Sequence, residues 1–291
     1  KELKAVDQIS FEVKKGELLA FIGPNGAGKS TTLKMLTGIL YPTSGEAEVL
    51  GFNPWKKRKK LAYHIGTVFG QKPQLWYHLP AIDTFNWFCT IYELDKKKYK
   101  KRIKRLAKLF EIEDFIKVPV RKLSLGQRMR CEIVASLLHK PKVLFLDEPT
   151  IGLDIVAKRK LRKLIKKLNK EEDITIILTS HDMDDVEKVC KRLIIINHGK
   201  IIYEGKVSDV KRNYLNYKKI DVLFEDEVKV RKKKGITVLK KSSHGIKLEI
   251  DTKKIHIRDV LEHLGKNNIV KDITISDPPI EETISRIYQQ K

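Results

Sequence analysis

The apolar positions of this chain follow two rhythms, period two and period 3.6, and their order along the chain predicts its architecture. Ile9, Phe11 and Val13 alternate ahead of a turn at Lys15 and Gly16, and "ELLAFIG" follows as a continuous apolar run of strand length. The opening therefore predicts an antiparallel β element leading into a buried strand. Leu33, Leu36 and Leu40 then repeat at helical spacing, up to a stretch over 38–44 where Gly, Pro and Ser cluster, and β structure resumes through "GEAEVLGF" and "HIGTVFG". From about Lys72 to Lys140 the texture turns helical: Ile82, Phe85, Cys89 and Tyr92 share one face of a first helix, and Tyr99, Ile103, Leu106 and Phe110 one face of a second. Strand-length runs return as "KVLFLD", "ITIILTS" and "LIIIN". Helices carrying Leu161, Leu164, Ile165 and Leu168, then Met183, Val186 and Cys190, separate them. Strand and helix in alternation predict an α/β fold with a parallel sheet.

Past about Tyr214 the order changes. "KIDVLFED", "GITVLKK" and "GIKLEID" read as three short strands, "IRDVLEHLG" as a helix, "IVKDITIS" as a strand and "IEETISRIYQ" as a closing helix. The chain is expected to divide into a main domain over residues 1–213, with a helical subdomain over about 72–140, and a small C-terminal α+β accessory domain over 214–291.

Composition narrows the class. No apolar run approaches the roughly 18 residues of a membrane span, and the first residues lack both the apolar core of a signal peptide and an initiating Met, which suggests a trimmed N-terminus. Cys89, Cys131 and Cys190 are widely spaced, fit no metal-ligand pattern and read as small core residues of a protein from a reducing compartment. The 60 Lys and Arg against 37 Asp and Glu leave a formal charge of +23. Such a charge can draw a chain to nucleic acid or to an anionic membrane. The lysines are dispersed, however, which favours solvated helix faces and places a membrane surface ahead of nucleic acid.

Two stretches look built to hold phosphate. "GPNGAGKST" (residues 23–31) fits G-x-x-x-x-G-K-[ST], with Gly23, Gly28, Lys29 and Ser30, and sits after a strand and before a helix, the context a P-loop requires. Its glycines let backbone N–H groups turn towards a phosphate at a helix N-terminus, Lys29 can reach the β- and γ-phosphates, and the Ser30 hydroxyl can ligate Mg²⁺. "KVLFLDE" delivers Asp147 and Glu148 at the end of a buried strand, Asp147 to hold the Mg²⁺ through water and Glu148 to polarise an attacking water as general base. The second stretch is "LSLGQ": Ser124-x-x-Gln127 is a capping box for the helix bearing Met129, Ile133, Val134, Leu137 and Leu138, and a capped N-terminus with a flexible Gly126 is also an anion site.

With these motifs the chain resembles the nucleotide-binding subunit of an ATP-binding cassette (ABC) transporter. Gly23, Pro24, Asn25, Gly26, Ala27, Gly28, Lys29, Ser30 and Thr31 look like its Walker A motif and Gln71 like its Q-loop. Residues 123–127 look like its signature, 143–148 like Walker B, "IGLD" (151–154) like its D-loop, and His181 like its switch histidine, all in the family's order over about residues 1–210. The resemblance implies a P-loop NTPase core with an antiparallel β subdomain and a helical subdomain. It implies ATP and Mg²⁺ as cofactors, with Ser30, Gln71 and Asp147 serving the metal and Glu148, His181 and Gln71 the catalysis. It also implies a head-to-tail dimer in which Ser124, Gly126 and Gln127 of one copy close on the nucleotide held by the P-loop of the other, so that two phosphate elements per chain become two shared sites per dimer.

Two departures stand out: Leu125 replaces the usual Gly of LSGGQ and forfeits its φ > 0 freedom, and the aromatic on which the family stacks adenine would lie upstream of Lys1. Residues 71–92, with Trp76, Tyr77, Phe85, Trp87 and Phe88, fall where the family docks a permease. Several of these aromatics are expected in the core and one or two at the surface. Together with the accessory domain and the closing "DPPIEETISRIYQ", this resembles the exporter-type branch with a separate multi-spanning permease, placed at the cytoplasmic face of the membrane. The alternative is a soluble ABC ATPase acting on nucleic acid or ribosomes, although such proteins usually join two cassettes or split one with a coiled coil. A purely regulatory ATP-binding role sits poorly with Glu148 and His181.

Overall fold

The structure, a computed structural model, describes residues 4–70, 72–180, 182–214, 217–227, 234–266 and 268–276. Gln71, His181 and the expected closing helix therefore lie outside the described residues. The chain forms two compact units, residues 1–205 and 206–291.

The first unit runs β1 (Leu18–Ile22), α1 (Lys29–Leu36), α2 (Arg58–Ala62), β2 (Ile65–Phe69), α3 (Ala81–Ile91), α4 (Lys96–Phe110), α5 (Leu125–Leu137), β3 (Val143–Asp147), α6 (Ile155–Glu172), β4 (Thr175–Ser180), α7 (Met183–Val189), β5 (Arg192–Asn197) and β6 (Lys200–Lys206). The strands form one sheet in the order β2-β3-β4-β1-β5-β6. The pairs β2/β3, β3/β4, β4/β1 and β1/β5 are parallel. A parallel sheet is covered on both faces, which is why "VLFLD", "TIILTS" and "RLIIIN" read as unbroken apolar runs. One face carries a core of Leu19, Phe21, Leu33, Phe145, Ile177 and Ile194. On the helices the expected stripes are buried: Met129, Ile133, Val134 and Leu137 on α5, Leu161, Leu164, Ile165 and Leu168 on α6. The cysteines sit as expected, free and buried, with burial pushing the Cys131 thiol up to about 12.

The antiparallel β element expected at the opening is not built as a ladder. Residues 9–14 carry no strand pairing, and "GEAEVLGF" contributes one antiparallel bridge, Val49 to Phe52, across a tight turn. Ile9, Phe11, Val13, Val49 and Phe52 nonetheless pack on the core. Alternation reports one buried face of an extended segment, and it cannot report whether a neighbour accepts its hydrogen bonds. Leu40 likewise leaves its expected stripe: α1 ends at Leu36, Gly38 turns with φ of +72°, and Leu40 is exposed. The dispersed charge lies on helix faces as expected, with Lys96, Lys97, Lys98, Lys100, Lys101, Lys104 and Lys108 all exposed along α4.

The second unit opens with α8 (Val207–Tyr214) and continues β7 (Tyr217–Phe224), β8 (Ile236–Lys241), β9 (Gly245–Asp251), α9 (Ile257–Gly265) and β10 (Val270–Ser276). Its antiparallel sheet has the order β10-β7-β9-β8, and Ile220, Val222, Phe224, Ile246, Leu248 and Ile250 bury one face together with Val260 and Leu264 of α9.

His139, between α5 and β3, fastens the first unit internally. Its ring stacks on Tyr92 with centroids 4.0 Å apart, and Nε2 lies 2.9 Å from Ile65 O, where it donates as the neutral Nε2–H tautomer. Burial lowers its pKa to about 4. Because the folded value lies below the unfolded one, this contribution is full above about pH 6.5 and is lost as pH falls towards 4. Over that window it amounts to at most about 3 kcal/mol. Urea unfolding between pH 7 and 4 should show wild-type stability falling more steeply than that of His139→Gln; parallel curves would refute the assignment.

Candidate active site

Register brings the chemistry to one edge of the sheet. Phe69 pairs with Asp147, Asp147 with Thr179, Phe21 with Thr179, and Ile22 with Ser180. The residues that follow each strand, Gly70, Glu148 and Gly23, therefore emerge side by side at the carboxyl ends, where open α/β sheets hold their ligands.

The loop from Gly23 to Gly28 is shaped by close backbone approach. A Cβ on Gly23 would meet Ile196 O at 2.2 Å, and one on Gly28, whose φ is +107°, would meet Ala5 O at 2.4 Å. Pro24, Asn25 and Gly26 are exposed, whereas Ala27 is buried. The start of α1 has no side-chain cap, so its first N–H groups and the dipole end face the loop, as an anion site requires. Lys29, only 5% exposed, reaches back across the loop: Nζ donates to Gly23 O at 2.8 Å and Pro24 O at 3.1 Å and lies 3.6 Å from Glu148 Oε1. Beside it Ser30 Oγ donates to Asp147 Oδ1 at 3.1 Å. A hydroxyl and a carboxylate oxygen together are the donor set a hard divalent cation uses when it shares its shell with substrate phosphate and water.

Thr179, at the end of β4, escaped sequence reasoning. Its hydroxyl donates to Asp147 Oδ1 at 2.6 Å and accepts from the Glu148 N–H at 3.0 Å, while Thr179 O accepts from the same N–H at 3.2 Å. These bonds fix a left-handed backbone at Glu148, with φ of +51°, which a non-glycine residue adopts only when its surroundings impose it. The reversal turns the Glu148 carboxylate towards Lys29 instead of onward along the strand. Gly70 is the other residue missed: its N–H donates to Asp147 O at 3.0 Å, and a Cβ there would lie 2.9 Å from Glu148 O. A threonine in an apolar run and a glycine closing "TVFG" were the available signals.

Ser180 and Asp182, the neighbours of position 181 in the sequence, are both held. Ser180 Oγ accepts from the Asp182 N–H at 2.9 Å, and Lys158 of α6 pairs with Asp182 at 2.6 Å. Burial pushes the Asp182 carboxyl up, but the Lys158 ammonium outweighs it and holds it below its usual value. Thr150, two residues past Glu148, donates to Asp185. That carboxylate is 1% exposed and lies 2.8 Å from Arg162 Nε, in an ion pair whose N–H is not aligned as a hydrogen bond.

The second phosphate-type element lies apart. Ser124 caps α5 reciprocally, Oγ accepting from Gln127 N at 3.2 Å and Gln127 Oε1 accepting from Ser124 N at 2.8 Å. Ser124, Gly126 and Gln127 line a cavity of about 270 Å³ with Arg130, Ala157 and Lys160, and no residue of the Gly23–Gly28 loop lines it. Gly126 is helical and supplies space rather than flexibility, since a Cβ there would meet Ala157 Cβ at 3.0 Å. Leu125 is also helical, so the φ > 0 freedom of Gly is not needed at this position, and its Cδ2 lies over Gly152. A larger cavity, about 700 Å³ in the second unit beside Arg258 and Glu262, contains none of the motif residues.

The sequence profile described as ABC transporter matches residues 6–151. The chain belongs to the ABC transporter family. This cassette is 35% identical to the ABC transporter ATP-binding protein NatA of Bacillus subtilis (strain 168) over 72% of this chain and 85% of that one. It is 36% identical to the bacitracin transport ATP-binding protein BcrA of Bacillus licheniformis, over 75% and 71%. Among solved structures, the dimeric ATP-binding cassette MJ0796 bound to ADP and Pi superposes with a TM-score of 0.63 at 28% identity, covering 70% of this chain and 91% of that one. The cassette is thus the ATP-binding subunit of an ABC transporter and a transport-coupled ATPase.

Thr179→Val should leave the cassette folded while lowering steady-state phosphate release about tenfold, the equivalent of one lost hydrogen bond to a charged group, and raising the Mg²⁺ concentration needed for half-maximal rate. Wild-type turnover and Mg²⁺ dependence would show that Thr179 does not hold Asp147 and Glu148.

Proposed function

We infer that this cassette hydrolyses ATP in a head-to-tail dimer and thereby drives a separate multi-spanning permease, exporting its substrate from the cytoplasmic face of the membrane. The observation that carries this reading is the separation of two phosphate-type elements: the P-loop with Lys29, Ser30, Asp147 and Glu148 at the sheet edge, and the capped start of α5 on a cavity of its own. A second copy turned end for end would present its Ser124, Gly126 and Gln127 to the first copy's P-loop. The dimeric MJ0796 cassette supports the formation of a dimer, and the bacitracin transport protein supports a transport role; no helix among the described residues is long and apolar enough to cross a membrane.

In this reading the N–H groups of residues 26–31 and Lys29 hold the phosphates. Mg²⁺, held by Ser30 and Asp147 with Gln71, would neutralise charge on the β- and γ-phosphates. Glu148, turned back by its left-handed backbone, accepts the proton of the attacking water, and Lys29 moves from Gly23 O and Pro24 O to the γ-phosphate as charge develops there. His181, by the family resemblance, braces the γ-phosphate. Trp76, Tyr77 and Trp87, exposed by 39%, 53% and 45%, with Phe85 in the core, form the permease-docking surface. The region 214–291 is an accessory domain that regulates or supports the dimer.

Glu148→Gln should reduce phosphate release by roughly 10²-fold or more, as for a positioned general base, while MgATP converts the protein to a dimer that sediments as one species. Wild-type turnover in that variant, or monomers at saturating MgATP, would contradict the reading.

A further inference from the structure

Glu132, on the α5 helix that begins at Ser124, is a buried carboxylate that the mechanism leaves unused. It is 4% exposed, and no cation lies within ion-pair distance of it among the described residues. Its partners are backbone amides: Gln74 N donates to Oε2 at 3.0 Å and to Oε1 at 3.2 Å, and Leu75 N lies 3.4 Å from Oε1. Burial pushes the carboxyl up, and the two amides, with the Arg128 charge one turn earlier on the helix, offset part of that. A buried acid whose hydrogen bonds go to peptide amides is costly to keep, so what those amides belong to matters.

They belong to the segment that leaves the sheet edge at Gly70 and leads to the exposed tryptophans. Gly70 is bonded to Asp147, and the Gln74 side chain donates to Thr67 O at 2.7 Å. Trp76 N donates to Thr84 Oγ1 of α3 at 3.1 Å, and Trp76 and Trp87 lie 5.2 Å apart, centroid to centroid. The far side of the segment is tied to the short 3-10 turn that leads into the same helix: Arg121 N donates to Tyr77 O at 2.9 Å and Val120 N to Leu79 O at 3.0 Å, three to four residues ahead of Ser124.

We propose that Glu132 is the positioning residue that makes the tryptophan-bearing docking segment move as one body with the Ser124 helix, so that closure of Ser124 on nucleotide is delivered to the surface at Trp76 and Trp87. The inference rests on the dimer reading above. Without the Glu132 grip, the remaining ties towards the start of α5 run through Tyr77 and Leu79, beyond Trp76, and the Gln74 and Leu75 amides lose the acceptor that joins them to α5 among the described residues.

The chain has three tryptophans, so Trp55→Phe leaves Trp76 and Trp87 as the emitters. In Trp55→Phe/Glu148→Gln protein, MgATP should shift their emission. Adding Glu132→Ala should cut that ATP-dependent amplitude by about fivefold or more, the scale of a lost coupling, while MgATP still drives dimerisation in sedimentation of the same samples. Glu132→Gln, with the same volume and one acceptor oxygen, should restore at least part of the amplitude. If Glu132→Ala fails to fold, Glu132→Asp, too short to reach both amides, replaces it with the same expectation. An amplitude unchanged in these variants overturns the proposal, as does a change confined to the nucleotide-free spectrum, which marks lost packing alone. A parent protein that dimerises without any emission shift overturns it too, whereas a parent that does not dimerise overturns the dimer reading instead.

Discussion

One carboxylate oxygen, Asp147 Oδ1, organises the sheet edge. It accepts from Ser30, the second residue of α1, and from Thr179, the last residue but one of β4, and thereby ties the P-loop helix to β3 and β4. The same threonine hydroxyl receives the Glu148 N–H and holds that residue in a left-handed turn. Without this knot Glu148 would continue along the strand direction, and its carboxylate would not face Lys29. Backbone strain at Glu148, the proposed general base, is tolerated because neighbouring hydrogen bonds over-determine it, and the neighbours are supplied by parallel register: Phe69, Asp147 and Thr179 stand in one row across three strands.

From that row the structure extends outward in two directions. Through Gly70 it reaches the segment carrying Trp76 and Tyr77, and through Thr150 and Asp185 it reaches α6 and α7. Arg162 and Lys158, both on α6, meet Asp184, Asp185 and Asp182, so Asp182 and the start of α7 are positioned by the helix that follows β3. Glu148 and the surface segment are therefore linked through hydrogen bonds and ion pairs between neighbouring elements.

Much of this was legible in the residues. The P-loop, the Asp147–Glu148 pair and the capping box at Ser124 carry their geometry in spacing, and both reciprocal capping bonds are present. The buried strands were legible because a sheet covered on both faces leaves unbroken apolar runs, and the limits of β9 and α9 fell where "GIKLEID" and "IRDVLEHLG" placed them. The antiparallel opening was not, since Ile9, Phe11 and Val13 record burial and not pairing. Thr179, Gly70 and Glu132 were invisible for a related reason: each matters through a partner more than thirty residues away or through a backbone contact, and no local pattern encodes either. Gly126 was legible as special, but its reason, contact with Ala157, was not.

The central claim is that the P-loop of one chain and the Ser124 element of another make one site. Mixing two inactive variants tests it most directly. Lys29→Ala chains retain Ser124, and Ser124→Arg chains retain the P-loop, so a heterodimer contains one intact shared site although neither homodimer contains any. ATP hydrolysis by each variant alone and by their equimolar mixture is the measurement. The mixture should recover a substantial fraction of wild-type turnover; a mixture as inactive as its components would mean that both elements serve a site within a single chain.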